Sequence, residues 1–288
     1  MRKRLTAALF SLGFMGSALA ASDAIDIPFT RFTLANGLTA LVHEDPKAPA
    51  VAVSIWYHVG SADEPTGKTG FAHLFEHLMF SGSAHHKGTF MEPFEQVGAT
   101  DLNVTTWFHR TTYFETVPTT ALDMALWMES DRMGHLLGAI GQHELDTQRG
   151  VVQNEKREGE NQPYGRVDEN ILANAFPTNH PYRHDTIGSM ADLDAASLAD
   201  VKQWFHDYYG AANTTIVLAG DITPAAAREK LEKYFGDIAA GPPVPRQQAW
   251  VAQRDPSTRG EQKDHVAQTR IIREWNVAQL GHADEPLL

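Results

Sequence analysis

The chain has 288 residues, no cysteine and a formal net charge of −12. Without cysteine there is no disulfide, thiol nucleophile or thiolate metal site, so any metal must be held by histidine and carboxylate side chains. The acidic balance argues against nucleic acid as a partner, and the length suits one large domain or two modest ones.

Residues 1–20 open with Met1-Arg2-Lys3-Arg4, continue as an apolar run and end in Ala18-Leu19-Ala20. A basic start, a short apolar stretch and a small-residue exit read as a signal peptide. Ser11, Gly13, Gly16 and Ser17 interrupt the apolar run. Neither it nor any later stretch is long enough to span a membrane, so a periplasmic or secreted protein is expected.

Residues 29–34 and 38–43 alternate as strands around Asn36-Gly37, a hairpin signal, and residues 51–59 form a strongly apolar strand, expected to be central. A polar loop over residues 60–69 leads into residues 70–81, Gly-Phe-Ala-His-Leu-Phe-Glu-His-Leu-Met-Phe-Ser. At about 100° per residue on a helix, His73, Glu76 and His77 fall within an arc of about 100° and can face one point. Two imidazoles four residues apart can ligate zinc, and a carboxylate just before the second is placed to take a proton from an attacking water. A random chain of this composition would hold His-x-x-Glu-His about 0.04 times, so chance explains it poorly. An amphipathic core helix with hydrogen-bonded histidines stays open as the other reading. His85-His86-Lys87, just beyond, reads as a solvated loop rather than a metal cluster, because adjacent side chains point apart.

A second helix is expected over residues 89–97, capped by Thr89 with Glu92 three residues on. Residues 98–104 read as a turn and short strand, and residues 111–117 as another strand, with Trp107, Phe108 and Tyr113 packing the sheet. Residues 120–137 form an amphipathic helix with Leu122, Ala125, Leu126, Met133 and Leu137 inward, and residues 144–160 are helical again. After a loop over residues 177–183 come a helix over 197–209, a strand over 214–219 and a helix over 224–235 that starts on Pro224. Strands interleaved with helices, several in hairpins, predict an α+β fold: a mixed, largely antiparallel sheet with helices packed on it. The main domain is expected over residues 23–238. Residues 239–262, with Gly241-Pro242-Pro243-Val244-Pro245, read as a linker, and residues 263–288, including the strand-like stretch 270–277, as the start of a truncated second domain.

Two histidines leave zinc short of a protein ligand. Glu155 is the natural third: it follows Val151 and Val152 by four and three residues, on the apolar side of its helix, whereas Glu158 and Glu160 lie among charges. A buried carboxylate needs a partner, and a metal would serve, as would a salt bridge.

These residues carry a resemblance. From about residue 29 to residue 221 the chain resembles the pitrilysin/insulinase family of zinc metallopeptidases, specifically the N-terminal, metal-binding half of bacterial members. The matching stretches are Asn36-Gly37-Leu38, Gly60-Ser61 with Glu64, His73-Leu74-Phe75-Glu76-His77, Asn103 in Leu-Asn-Val-Thr-Thr, residues 149–155, His180-Pro181-Tyr182, Ile187-Gly188 and residues 213–221. The resemblance implies one zinc per chain held by His73, His77 and Glu155, with Glu76 as general base. It implies a peptide or unfolded protein bound as an added strand along Asn103, Val104 and Thr105. Where the family usually has a second glutamate, this chain has Gln148, which can still accept a hydrogen bond from a ligand histidine but without the charge that strengthens imidazole as a donor. The family also carries a second half that closes over the site, and residues 270–277 resemble only its opening. The partners implied are therefore a second family half or a homo-oligomer. The first expectation is a zinc-dependent endopeptidase; the alternative is a non-catalytic or partner-dependent half acting as a scaffold or substrate-binding subunit.

Overall fold

Alternating apolar residues build the sheet. In β3 (Ala50–Tyr57) Val51, Val53, Ile55 and Tyr57 are buried while Ala52 and Trp56 face outward, the period of two that a strand covered on one face requires. The computed structural model describes residues 26–246, 250–253 and 257–283; the expected signal peptide lies outside them. Five further strands join β3: β1 (Thr30–Thr33), β2 (Thr39–Glu44), β4 (Thr100–Thr106), β5 (Thr111–Pro118) and β6 (Thr214–Gly220). Their order is β1-β2-β6-β3-β5-β4. The β2–β6 pair is parallel and the other pairs are antiparallel, giving the expected mixed sheet, with β3 inside it and β4 at one edge.

Eight helices complete the described residues: α1 (Phe71–Leu78), α2 (Glu92–Gln96), α3 (Leu122–His135), α4 (Gln142–Asn161), α5 (Val167–Ala175), α6 (Met190–Ala195), α7 (Leu198–Tyr208) and α8 (Pro224–Phe235). The core joins Val53 and Ile55 of the sheet to Leu74 and Phe75 of α1, Leu126 of α3, and Leu231 and Phe235 of α8. Each such fully buried side chain contributes about 1.5–3 kcal/mol relative to exposure. None of the helices is long and apolar enough to cross a membrane.

Asn36 and Gly37 do more than turn the chain. Leu34 N–H donates to Leu38 O, so the turn holds three residues rather than the two of a tight hairpin. The Asn36 amide donates to the carbonyls of Phe235 and Ile238, at 2.7 and 3.0 Å, pinning the hairpin to the end of α8. Gly37 has φ +89°, and a Cβ there would sit 2.8 Å from Ala212 Cβ, so both the backbone and the space demand glycine.

Several expectations need correction. The second helix is shorter than expected: α2 starts at Glu92 after Met91, with Pro93 in its first turn, and Thr89 does not cap it. At the end of α3 the chain tightens to a 3-10 turn over Leu136–Gly138. Its residues advance by about 120° instead of 100°, so Leu136 takes the core position and Leu137 is only half buried. The short helices α5 and α6 were not expected; α5 carries Val167, Ile171, Leu172 and Ala175 at helical spacing but buries none of them fully. Residues 270–277 form no strand. Ile271 and Trp275 are exposed, and the stretch pairs with neither edge strand, β1 nor β4. Side chains tether the segment instead: Tyr164 OH donates to Gln268 O, and the Asn276 amide donates to Ala175 O and Ala252 O.

Candidate active site

The site begins where α1 begins. Gly70 enters the helix at φ +86°, and a Cβ there would lie 2.4 Å from Ile187 O, so the chain crosses here against the Ile187-Gly188 turn. The Glu64 side chain, fully buried, accepts hydrogen bonds from Gly70 N–H at 3.0 Å and Ala72 N–H at 2.7 Å. A carboxylate there satisfies orphan amides and faces the positive end of the helix dipole; even so, burial holds the Glu64 carboxyl well above its usual range. Asp192 of α6 accepts from Thr69 N–H and its hydroxyl. The start of the helix is thus fixed from both sides. Phe71, Ala72, Leu74, Phe75 and Leu78 bury the face opposite the histidines, and Phe75 packs on Tyr209 with 4.4 Å between ring centroids.

His73 and His77, one turn apart, bring their rings to 4.8 Å between centroids at 87°. One ligand atom from each of His73, Glu76 and His77 lies within 4.8 Å of the others. Glu155 reaches the same point from α4: its Oε2 is 3.7 Å from His73 Nε2 and 3.5 Å from His77 Nε2. These separations are longer than good hydrogen bonds. They come close to the roughly 3.3–3.5 Å between donor atoms that share one tetrahedral ion through bonds of about 2.0–2.1 Å, the His73 pair being the wider. His73 Nδ1 is buried with no hydrogen-bond partner. Burial lowers the pKa of His73 to about 4, with the neighbouring His77 adding to the effect, and lowers that of His77 as well. Both rings are therefore neutral at pH 7 and have lone pairs to give, and the donor set of two imidazoles and a carboxylate fits zinc.

The expected position of Glu155 needs one correction. It is not on the apolar side of its helix: Leu145, Val152 and Lys156 are the buried residues of α4, and Val151 and Glu155 are exposed. Glu155 instead lies on the strip that also carries Gln148, seven residues earlier and about two turns away. The Gln148 side chain sits beside His77 and favours its protonated form. Arg149 fixes this helix by donating to Leu193 O at 3.0 Å and Ala196 O at 2.6 Å.

Glu76 is buried and its carboxyl is pushed up to about 7, chiefly by desolvation. The Thr106 hydroxyl donates to Glu76 Oε2 and opposes that rise. The sequence reading missed Thr106. Its signal was the period of two: Thr106 shares a face of β4 with Val104, so a hydroxyl at that position points where the apolar residues point.

Along the edge strand β4, Asn103 is exposed, and its side chain accepts from Val104 N–H at 2.8 Å. Val104 and Thr105 are half buried, and Arg110 donates to the Thr105 hydroxyl. Trp107 does not pack the sheet as expected: it is exposed where the chain turns from β4 to β5, and Ser61 N–H and Ala62 N–H donate to Trp107 O and Phe108 O. His58 is satisfied by Thr215 at 2.9 Å, and His180 Nε2 lies 2.8 Å from Trp250 O. His85 is more than a solvated loop residue. Its Nδ1 lies 2.5 Å from Oδ1 of the buried Asp131, a partner distant in sequence.

Known proteins share this fold and are similar in sequence. Residues 39–187 match the family model described as insulinase (peptidase family M16), and residues 195–288 match the peptidase M16 inactive domain. The chain belongs to the insulinase family of peptidases. Among its relatives, the zinc protease PqqE of Helicobacter pylori is 32% identical over 209 residues, covering 72% of this chain and 46% of that protein. The mitochondrial-processing peptidase subunit beta of Blastocladiella emersonii is 27% identical over 226 residues, covering 75% and 46%. The crystal structure of a protease from Helicobacter pylori superposes with a TM-score of 0.72 at 29% identity, covering 77% of this chain and 53% of that one. The first half of the periplasmic protease PqqL from Escherichia coli shares the fold, with a TM-score of 0.69 at 23% identity over 77% of this chain and 48% of that one. The chain spans about half the length of the curated relatives it matches.

Proposed function

We propose that this chain is the metal-binding part of a zinc-dependent endopeptidase, with His73, His77 and Glu155 as ligands and Glu76 as general base. One observation carries the reading: a carboxylate from α4 stands 3.7 and 3.5 Å from two neutral imidazoles of α1, beside a buried carboxyl with a pKa of about 7. Bound there, zinc would supply a Lewis acid that polarises the scissile carbonyl and acidifies the attacking water. Glu76 accepts the proton of that water and later gives it to the leaving amine, a task suited to a group whose pKa lies near the working pH. Thr106 holds the Glu76 carboxylate in place. A peptide pairs along the open edge of β4 through Asn103, Val104 and Thr105, which favours extended or unfolded substrates.

Residues 23–238 form the peptidase domain in this reading, residues 239–262 a linker and residues 263–288 the start of a second domain. An exported protein, periplasmic or secreted, follows from residues 1–20. Because the chain spans about half of its relatives' length, its second reading is a partner-dependent half, completed by another family half or by a copy of itself.

The deciding experiment is metal analysis and peptide cleavage on the purified chain, alone and with a candidate second half. Glu76→Gln is expected to keep zinc and lose about 10²–10⁴-fold in cleavage, the usual contribution of a positioned acid–base group. Equal cleavage by the variant would remove Glu76 from the mechanism, and no cleavage in any combination would favour the scaffold reading.

A further inference from the structure

A second group of ligating side chains, used nowhere in the mechanism above, lies where the loop after α1 meets α3. Asp131 and His135, four residues apart, share one face of α3 near its end, and the loop over residues 83–87 lays His85 against them. One ligand atom from each of His85, Asp131 and His135 lies within 4.8 Å of the other two. Asp131 is buried, whereas His85 and His135 are exposed. The two imidazole rings stand 4.9 Å apart at 79°.

The arrangement is built rather than incidental. Ser83 donates its hydroxyl to Asp131 Oδ2, which leaves Oδ1 aimed at His85 Nδ1, 2.5 Å away. A carboxylate whose second oxygen is held by a neighbouring hydroxyl is oriented as metal-ligating carboxylates are. The loop itself is fastened to the helix: Ala84 N–H donates to His135 O at 3.0 Å, and Ser83 N–H donates to His86 O at 3.0 Å. The contact is tight enough that a Cβ on Gly138 would lie 2.6 Å from Ala84 Cβ. Both ends of the cluster are thus positioned before any ligand arrives. To reach the roughly 3.3 Å between donor atoms on one tetrahedral ion, His85 Nδ1 and Asp131 Oδ1, now 2.5 Å apart, open slightly and the exposed His135 ring turns inward.

We propose that His85, Asp131 and His135 form a second divalent-cation site, distinct in its residues from the His73–His77–Glu155 set. Two imidazoles and one carboxylate select zinc-class ions over calcium or magnesium, which prefer all-oxygen shells. A fourth position opens to solvent between the exposed rings. A bound ion clips the loop that follows α1 onto the end of α3 and steadies the exit of the helix that carries His73, Glu76 and His77.

The test is zinc content of the full chain, prepared without a histidine tag, loaded with excess zinc and then desalted. The wild-type protein is expected to retain two equivalents. His85→Ala and His135→Ala should each retain one equivalent fewer; the melting temperature of the metal-free protein should be unchanged in His135→Ala, whose ring lies in solvent, whereas His85→Ala also loses its bond to Asp131. The double variant His77→Ala/His135→Ala should hold none, while His77→Ala alone keeps the equivalent at the second cluster, so the result does not depend on the first site. Zinc content in His85→Ala and His135→Ala equal to that of the parent would overturn the proposal. So would a second equivalent that desalting removes.

Discussion

The two helices that meet at the site are built on opposite terms. Of the eight residues of α1, six are buried, including Glu76, and its first turn is closed by the Glu64 carboxylate. By contrast, α4 runs for twenty residues and buries only Leu145, Val152 and Lys156. The first helix holds its functional groups by core packing, so their geometry and the stability of the fold are one quantity. The second presents Glu155 from a mostly solvated surface and is anchored by the Arg149 bonds to Leu193 and Ala196. Changes on α4 should therefore alter the site without altering the fold, and changes on α1 should alter both.

Glu155→Ala gives the largest separation of the two effects. The side chain is half exposed, so the metal-free variant should melt with the wild type, within about 0.5 kcal/mol. Zinc affinity should fall by more than about 100-fold, beyond the 10–100-fold that loss of an outer partner costs. Competition with a chromophoric chelator measures the affinity and a thermal melt the stability. A large stability loss with zinc retained would place Glu155 in the fold rather than in the site.

On α1 the coupling has a sign that pH reveals. The Glu76 carboxyl is raised from 4.5 to about 7 in the folded, metal-free chain. Its contribution to stability is therefore complete below pH 4.5 and is lost as pH rises through 7. Glu76→Gln removes the ionisation, so the metal-free variant should be more stable than the wild type at pH 8, by about 2–3 kcal/mol, and match it below pH 4.5. Denaturant melts at the two pH values decide it. A difference independent of pH would mean that Glu76 stays ionised inside the fold.

A smaller effect belongs to the neighbour that holds this carboxylate. The Thr106 hydroxyl stabilises the ionised form of Glu76, so Thr106→Val keeps the shape and raises the carboxyl further. The acid limb of a pH–rate profile should then move to higher pH, with cleavage at pH 7 reduced about tenfold, the size expected for one hydrogen bond to a charged group. An unmoved limb would limit Thr106 to packing.

The same contrast explains what the sequence made legible. His73, Glu76 and His77 lie within five residues on one helix, and the 100° period alone puts them on one face. The sheet was legible because β3 and β5 alternate, and α8 because Pro224 and Thr223 mark its start. The meeting with Glu155 was read partly for the wrong reason. Val151 and Val152 suggested an apolar strip, yet Val151 is exposed and the buried Lys156 takes the inner position, paired with Glu160 at 3.2 Å. A lysine stem can cover apolar surface while its ammonium finds a carboxylate, which a count of apolar residues does not register. Contacts that join distant segments left no local pattern: Asp131 on His85, and Asn36 on the end of α8. Residues 270–277 show the converse, since the strand-like pattern there joins neither edge of the sheet.

The smallest predicted change is made on α4 and read on α1. Gln148 lies beside His77 as a neutral partner; a carboxylate in its place strengthens the imidazole as a donor to a metal. Gln148→Glu should therefore tighten zinc by about threefold to tenfold at pH 7, less than the roughly 10–100-fold that loss of an outer partner costs, because Gln148 already contributes a hydrogen bond. The added charge also raises the His77 pKa, so protons compete more strongly with the metal as pH falls, and the gain should shrink toward pH 5. Chelator competition at the two pH values tests both parts. Weaker zinc binding at pH 7 would mean that repulsion between the new carboxylate and Glu155, seven residues along the same face, outweighs the help given to His77.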